Sequence, residues 1–292
     1  MKNSISAIVT SLICVAIALL VAYACSFNSI SHVGTPVIYY CLILTFVIQW
    51  VVFLPSFYFQ TEHFYDLTGT LTYLSIIITG VFYNIKLNDE MLSNRKIIIA
   101  SLVCIWALRL GTFLFIRVIK VGEDKRFHEW KKSFMLFFRT WTIQGLWVFL
   151  TAITAITAIT SNNENELEIT FYVGFILWLY GFLFESISDF QKMKFKFNLD
   201  NKNKFIQTGL WSKSRHPNYF GEIIVWLGMA IMCVPLFEGL QYVSLISPIF
   251  VFLLLTKVSG TPILEKQADE KWGSNEKYKQ YKKNTPEIFP RF

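Results

Sequence analysis

The sequence predicts an all-α protein, a polytopic transmembrane helix bundle, and three observations carry that expectation. Apolar runs of about 20 residues, the length needed to cross roughly 30 Å of hydrocarbon, recur along the whole chain. Of the 292 residues, 54% are hydrophobic and only 16% charged, too few charges for the polar skin of a water-soluble globule. The Lys and Arg residues are sorted into alternate connections between the runs.

Eight runs are expected as spans: 5–27, 36–53, 67–83, 97–119, 134–160, 169–188, 219–235 and 242–256. The last two are short, so a seven-span count with a tilted or re-entrant segment stands beside the eight-span count. The first run has one lysine ahead of it and no small-residue cleavage site, which marks it as a span and not a signal peptide. With eight spans, 22 of the 27 Lys and Arg fall on one side: the N-terminus, the connections near 60, 120 and 200, and the C-terminal tail. Lys86, Arg95 and Lys96 fall on the other, and Arg109 and Arg139 lie within spans. The positive-inside bias then places both termini in the cytoplasm, at a bacterial inner membrane or the endoplasmic reticulum, and the acidic loop 161–168 outside. Basic loops beside anionic lipid account for the net charge of +7, so no nucleic-acid partner is implied. Cys14, Cys25, Cys41, Cys104 and Cys233 all lie in apolar runs without metal-ligand spacing and are expected as buried thiols, with no metal site.

The first two spans carry no chemistry. At 53–69, Gln60, Glu62, His63, Tyr65 and Asp66 interrupt the apolar pattern. They form either a short polar loop or a set of acidic and phenolic groups able to hydrogen-bond a ketone on an apolar substrate. At the end of the fourth span and beyond it, Arg117, Asp124 and Arg126 open a loop of mixed charge, either simply solvated or able to reach phosphates. The fifth span holds Arg139, Gln144 and the low-complexity repeat TAITAITAIT at 151–160, to which only close packing is assigned. On the sixth, Glu185, Asp189 and Lys192 are spaced i, i+4, i+7 along one face. A carboxylate one turn inside the membrane is costly alone, and Arg215 or Tyr219 is its expected partner.

Residues 209–222, GLWSKSRHPNYFGE, are the densest chemical stretch. With Pro217 at the first helical position, His216 becomes the N-cap and the free backbone N–H groups face the loop, an anion-binding arrangement. Arg215, Asn218, Tyr219 and Glu222 then fall at i, i+3, i+4 and i+7, one polar stripe on an apolar helix. The segment from VSGTPILEKQADEKWG to YKQYKKNTPEIFP is too amphipathic for a disordered tail and is expected to fold over the cytoplasmic mouth, capping the cofactor pocket. No Gly-x-Gly-x-x-Gly opens a helix, which excludes a Rossmann domain as cofactor holder.

Four segments, GFLFESISDFQ, GLWSKSRHPNYFGE, VSGTPILE and YKQY, follow one another in an order and spacing that resembles the C-terminal domain of the steroid 5-alpha-reductase family. The loop RVIKVGEDKRF extends the likeness faintly back to about residue 60. The resemblance implies a membrane reductase that takes a hydride from NADPH. The acceptor it implies is a C=C bond, often an enone, in a lipid-soluble substrate such as a steroid, sterol or polyprenoid. It further implies a substrate-cavity half, 1–133, and a cofactor-binding half, 134–292. The cofactor would be held by the matching residues Asp189, Trp211, Arg215, His216, Asn218 and Tyr219. The polar stripes add Glu185 and Glu222, and the charged loop adds Arg117, Asp124 and Arg126. Glu62 is the nearest counterpart of the glutamate that holds the substrate ketone, with Tyr65 and Asp66 as rivals. RHPNYFG is also similar to the turn of isoprenylcysteine carboxyl methyltransferases, which makes an S-adenosylmethionine-dependent methyltransferase the alternative; residues 185–191, Trp211 and Asn218 favour the reductase. A transporter is disfavoured because the two halves show no internal similarity. The partners expected are a lipid-soluble small molecule and the bilayer, with no obligate protein partner.

Overall fold

The computed structural model describes residues 2–88, 91–121 and 127–292. Among them, eight segments are long and apolar enough to cross a membrane, so the protein is a multi-pass, almost wholly helical membrane protein. The eight-span count holds. The seventh segment, Pro217–Leu236, and the eighth, Gly239–Trp272, run longer than their apolar cores alone suggested.

The helices are α1 (Lys2–Cys25), α2 (Val37–Tyr58), α3 (Tyr65–Asn88), α4 (Asn94–Val121), α5 (Phe134–Thr160), α6 (Ile169–Phe197), α7 (Pro217–Cys233), α8 (Ile246–Leu253), α9 (Thr261–Trp272) and α10 (Glu276–Asn284). A two-residue antiparallel pairing, Ser31–His32 with Thr35–Pro36, closes the turn between α1 and α2. The chain divides into two compact units. One contains the residues up to Glu168 together with Cys233–Ser247, and the other contains Ile169–Met232 and Pro248–Phe292. The first change of unit along the chain comes after α5.

The reason is α5 itself. It packs against α1, α2, α3 and the 3-10 segment Gly239–Leu245, all in the first unit, and every residue of 151–160 is buried. At about 100° per residue, a period of three shifts each residue type by about 60° per repeat, so over 151–160 Thr, Ala and Ile occupy neighbouring sectors and together cover the whole circumference without a charged residue. A helix enclosed on all sides needs that distribution. The threonines also do more than pack. Thr154 Oγ1 donates to the Ser244 carbonyl at 2.6 Å, and the Thr151 carbonyl accepts from Ser247 Oγ at 2.5 Å, tying the repeat to residues 239–247.

In the second unit, α6 and α7 meet backbone to backbone at two levels. A Cβ added to Gly181 would stand 2.6 Å from Val225 N and 2.7 Å from the Gly221 carbonyl oxygen, and one added to Gly228 would stand 2.5 Å from Trp178 N. Gly174 and Gly181 on α6 thus match Gly228 and Gly221 on α7, an antiparallel contact that only residues without side chains permit. The same contact sets Gly221 against the Glu185 backbone. The eighth segment is not one straight helix: a π-helical turn at Leu254–Val258 follows α8, and α9 restarts at Thr261 with Pro262 in its first turn. Asn275 caps α10 by accepting from the N–H groups of Lys277 and Tyr278.

Candidate functional site

α7 begins at Pro217, as its sequence anticipates, and the His216 carbonyl accepts from Tyr219 N at 3.1 Å and Phe220 N at 3.2 Å, the pattern of an N-cap residue. The His216 side chain is buried. Its Nε2 lies 2.8 Å from Glu265 Oε1, and its ring stacks on Tyr219 with centroids 5.6 Å apart and planes 12° apart. Burial lowers the imidazole pKa below the usual 6.5, outweighing the opposing pull of Glu265. A neutral ring donating Nε2–H to Glu265 leaves Nδ1 as a lone-pair acceptor. That atom is buried without a hydrogen-bond partner among the described residues, and so is Asn218 Oδ1 two residues on. Two open acceptors therefore sit at the start of one helix.

Arg215 is directed into the tail. Its Nε donates to Glu265 Oε1 at 3.0 Å and its Nη1 to the carbonyls of Lys282 (2.9 Å) and Thr285 (2.8 Å), while Nη2 is 3.8 Å from Glu287 Oε2. The backbone follows suit: Arg215 N donates to the Pro286 carbonyl at 2.9 Å, His216 N to that of Glu287 at 3.0 Å, and Arg291 N to that of Lys213 at 3.0 Å. Ser214 Oγ adds a bond to the Ile288 carbonyl at 2.8 Å. The tail does fold over this loop. In doing so it takes the N–H groups of Arg215 and His216, the two residues just ahead of the helix. Glu265 and Glu287 are the carboxylates found on Arg215.

Three tail residues escaped the reading of the sequence as site components. Glu265 ties Arg215, His216 and Lys282 together, the last at 3.1 Å. Lys282 also lies 2.7 Å from Asp269, and these two carboxylates raise its pKa despite partial burial. Tyr281 donates to the Trp211 carbonyl at 2.6 Å, and burial pushes its phenol upward. Each lies about 50 residues beyond Arg215 or more, and the local hint to them is the amphipathic pattern of the segment they share.

Trp211 is buried, donates Nε1–H to the Ser188 carbonyl at 3.0 Å, and carries the Lys192 ammonium over its ring at 4.5 Å. Glu185, Asp189 and Glu222 are all buried, as charged members of a site need to be if they are to act outside bulk water.

In the first unit, Glu62 is buried against Lys131, 2.8 Å from its Nζ, a partner that the sequence did not single out because it lies 69 residues away. The Tyr65 hydroxyl donates to the Thr140 carbonyl at 3.1 Å, and the ring packs edge-on against Trp141 and Phe127. Asp66 lies 3.7 Å from Arg117, whose side chain is partly exposed. Asp124 and Arg126 lie outside the described residues.

A family model described as "protein of unknown function (DUF1295)" matches residues 50–285. An uncharacterized protein of the yeast Schizosaccharomyces pombe is 26% identical over 263 residues, a match spanning 80% of this chain and 72% of that protein. No solved structure matches.

Proposed function

We infer, starting from a chain that belongs to the DUF1295 family, that it is a membrane-embedded NADPH-dependent reductase of an enone C=C bond in a lipid-soluble substrate. The observation that carries this reading is the pair of buried, unpartnered acceptors at the start of α7, His216 Nδ1 and Asn218 Oδ1. Leaving such atoms unpaired costs about 1–3 kcal/mol each unless a ligand or an ordered water donates to them. A dinucleotide brings suitable donors in its ribose hydroxyls and carboxamide N–H groups, so the residues present fit that group.

In this reading His216 and Asn218 accept those donors, Tyr219 fixes the His216 ring, and Trp211 supplies the aromatic wall with Lys192 as the nearest cation. Asp189, Glu185 and Glu222 complete the buried polar set. Arg215 and Glu265 are positioning residues that hold the tail. When bound, NADPH supplies the hydride. The chain contributes a hydrogen-bond donor to the carbonyl oxygen on which negative charge grows. In the first unit, Glu62 accepts from Lys131, using one of the three N–H groups of that ammonium. The charge bias of the loops supports a cytoplasmic side for the termini and the cofactor residues.

The experiment is NADPH oxidation by protein in lipid nanodiscs across a panel of steroid, sterol and polyprenoid enones. Wild type is expected to turn over at least one of them, and Asn218→Ala to weaken NADPH binding while leaving thermal stability intact, since Asn218 Oδ1 has no partner to lose. Methyl transfer from S-adenosylmethionine, with no NADPH consumption on any substrate, would replace this reading with the methyltransferase.

A further inference from the structure

Where α3 ends and α4 begins, the first unit opens into a cavity of about 970 Å³. Its lining is rich in carboxamides, Asn84, Asn88, Asn94, Asn162 and Asn165. The walls are built, not loose. Asn84 Nδ2 donates to the Ile159 carbonyl at 2.7 Å and Asn88 Nδ2 to Asn84 Oδ1 at 3.0 Å. Asn165 Nδ2 donates to the Pro235 carbonyl at 2.8 Å. Arg95 and Lys96, adjacent and almost fully buried, hold the carbonyls of Glu166 (2.6 Å) and Ser161 (2.8 Å). Desolvating two cations costs several kcal/mol each, so fixing the 161–166 stretch is a demanding arrangement.

The chemistry of the lining narrows the ligand. Lys96 is neutralised by Glu164, and Glu164 and Glu166 both border the opening, so the cavity has no surplus positive charge with which to draw an anion. A carboxamide presents a donor and an acceptor side by side, and a hydroxyl is likewise both, so rows of hydroxyls match rows of asparagines. Ser93 Oγ adds a buried hydroxyl with no hydrogen-bond partner among the described residues. At the rim, Met91 is 94% exposed, an apolar edge of the kind an acyl chain would pass.

We propose that this cavity binds a polyhydroxylated ring, a sugar or cyclitol, either free or as the headgroup of a membrane lipid. The test uses full-length protein in nanodiscs. Free methyl glucoside and myo-inositol are titrated calorimetrically, and retention of phosphatidylinositol and a glucosyl diacylglycerol is compared with that of phosphatidic acid by native mass spectrometry. Saturable binding of a free ring identifies a soluble ligand, and selective retention of the ring-bearing lipids identifies a headgroup. In either case Asn88→Ala and Asn94→Ala, both at exposed positions, should weaken binding by about tenfold, as loss of one or two hydrogen bonds predicts. Asn88→Trp, which fills the opening, should abolish it with the thermal midpoint unchanged. No saturable binding by any of the four ring compounds, equal retention of phosphatidic acid, or binding that ignores all three substitutions would overturn the proposal.

Discussion

His216 Nε2 and Glu265 Oε1 lie 2.8 Å apart across 49 residues of sequence, and the same carboxylate oxygen also accepts from Arg215 Nε at 3.0 Å. One side chain on α9 thereby fixes both the N-cap of α7 and the arginine that grips the tail. The carboxylate is mostly buried, so Arg215 and Lys282 depend on it for charge balance and His216 for its hydrogen bond.

Glu265→Gln keeps the shape and removes the charge. It should lower stability by about 2–3 kcal/mol, the scale for charge-assisted hydrogen bonds in a partly buried network, and release the tail. Limited proteolysis is the check: cleavage near residues 285–291 should speed up in the variant, and an unchanged digestion pattern would contradict the clasp.

The lowered pKa of His216 gives a signed pH dependence. Because the folded value is depressed, the unfolded chain binds the proton first, so this contribution is complete above pH 6.5 and is lost as pH falls through the folded value. Thermal midpoints of wild type and His216→Gln should therefore converge on acidification below 6.5. Parallel curves would mean that the ring titrates normally.

At the helix contact, Gly221→Ala would place a methyl 2.5 Å from Glu185 N and 2.7 Å from the Gly181 carbonyl oxygen. The helices must separate, at a cost of about 1–3 kcal/mol. Lower thermal stability together with weaker NADPH binding is the expected outcome, because the separation moves the start of α7. Full stability in the variant would show that the two backbones are not in contact.

Removing one half of the Glu62–Lys131 pair should cost more than removing both. Lys131→Met takes the ammonium away from a buried carboxylate and is expected to lose about 3 kcal/mol, whereas Glu62→Gln with Lys131→Met should recover most of it. Additive losses in the double-mutant cycle would mean the two do not interact.

What the sequence reveals here follows the range of the forces involved. The eight spans are legible because bilayer thickness fixes their length, and the start of α7 at Pro217 is legible because proline and the N-cap are local rules. The partner of Arg215 is not, since α6, α9 and the tail all offer carboxylates and only the π turn at Leu254–Val258, followed by the restart at Thr261, decides which arrives. Lys131 was passed over for the same reason: on its own it is one lysine in a basic loop, and its pairing with Glu62 exists only after α2 and α5 have packed. The repeat at 151–160 was legible as packing, but its bonds to Ser244 and Ser247 come from a segment some 90 residues later.

The central claim is that the start of α7 accepts hydrogen bonds from a nicotinamide dinucleotide. Its most direct test is the thermal shift of purified protein with NADPH and with S-adenosylmethionine, repeated with Asn218→Ala. Stabilisation by NADPH alone, diminished in the variant, is the predicted result; stabilisation by S-adenosylmethionine alone would contradict it.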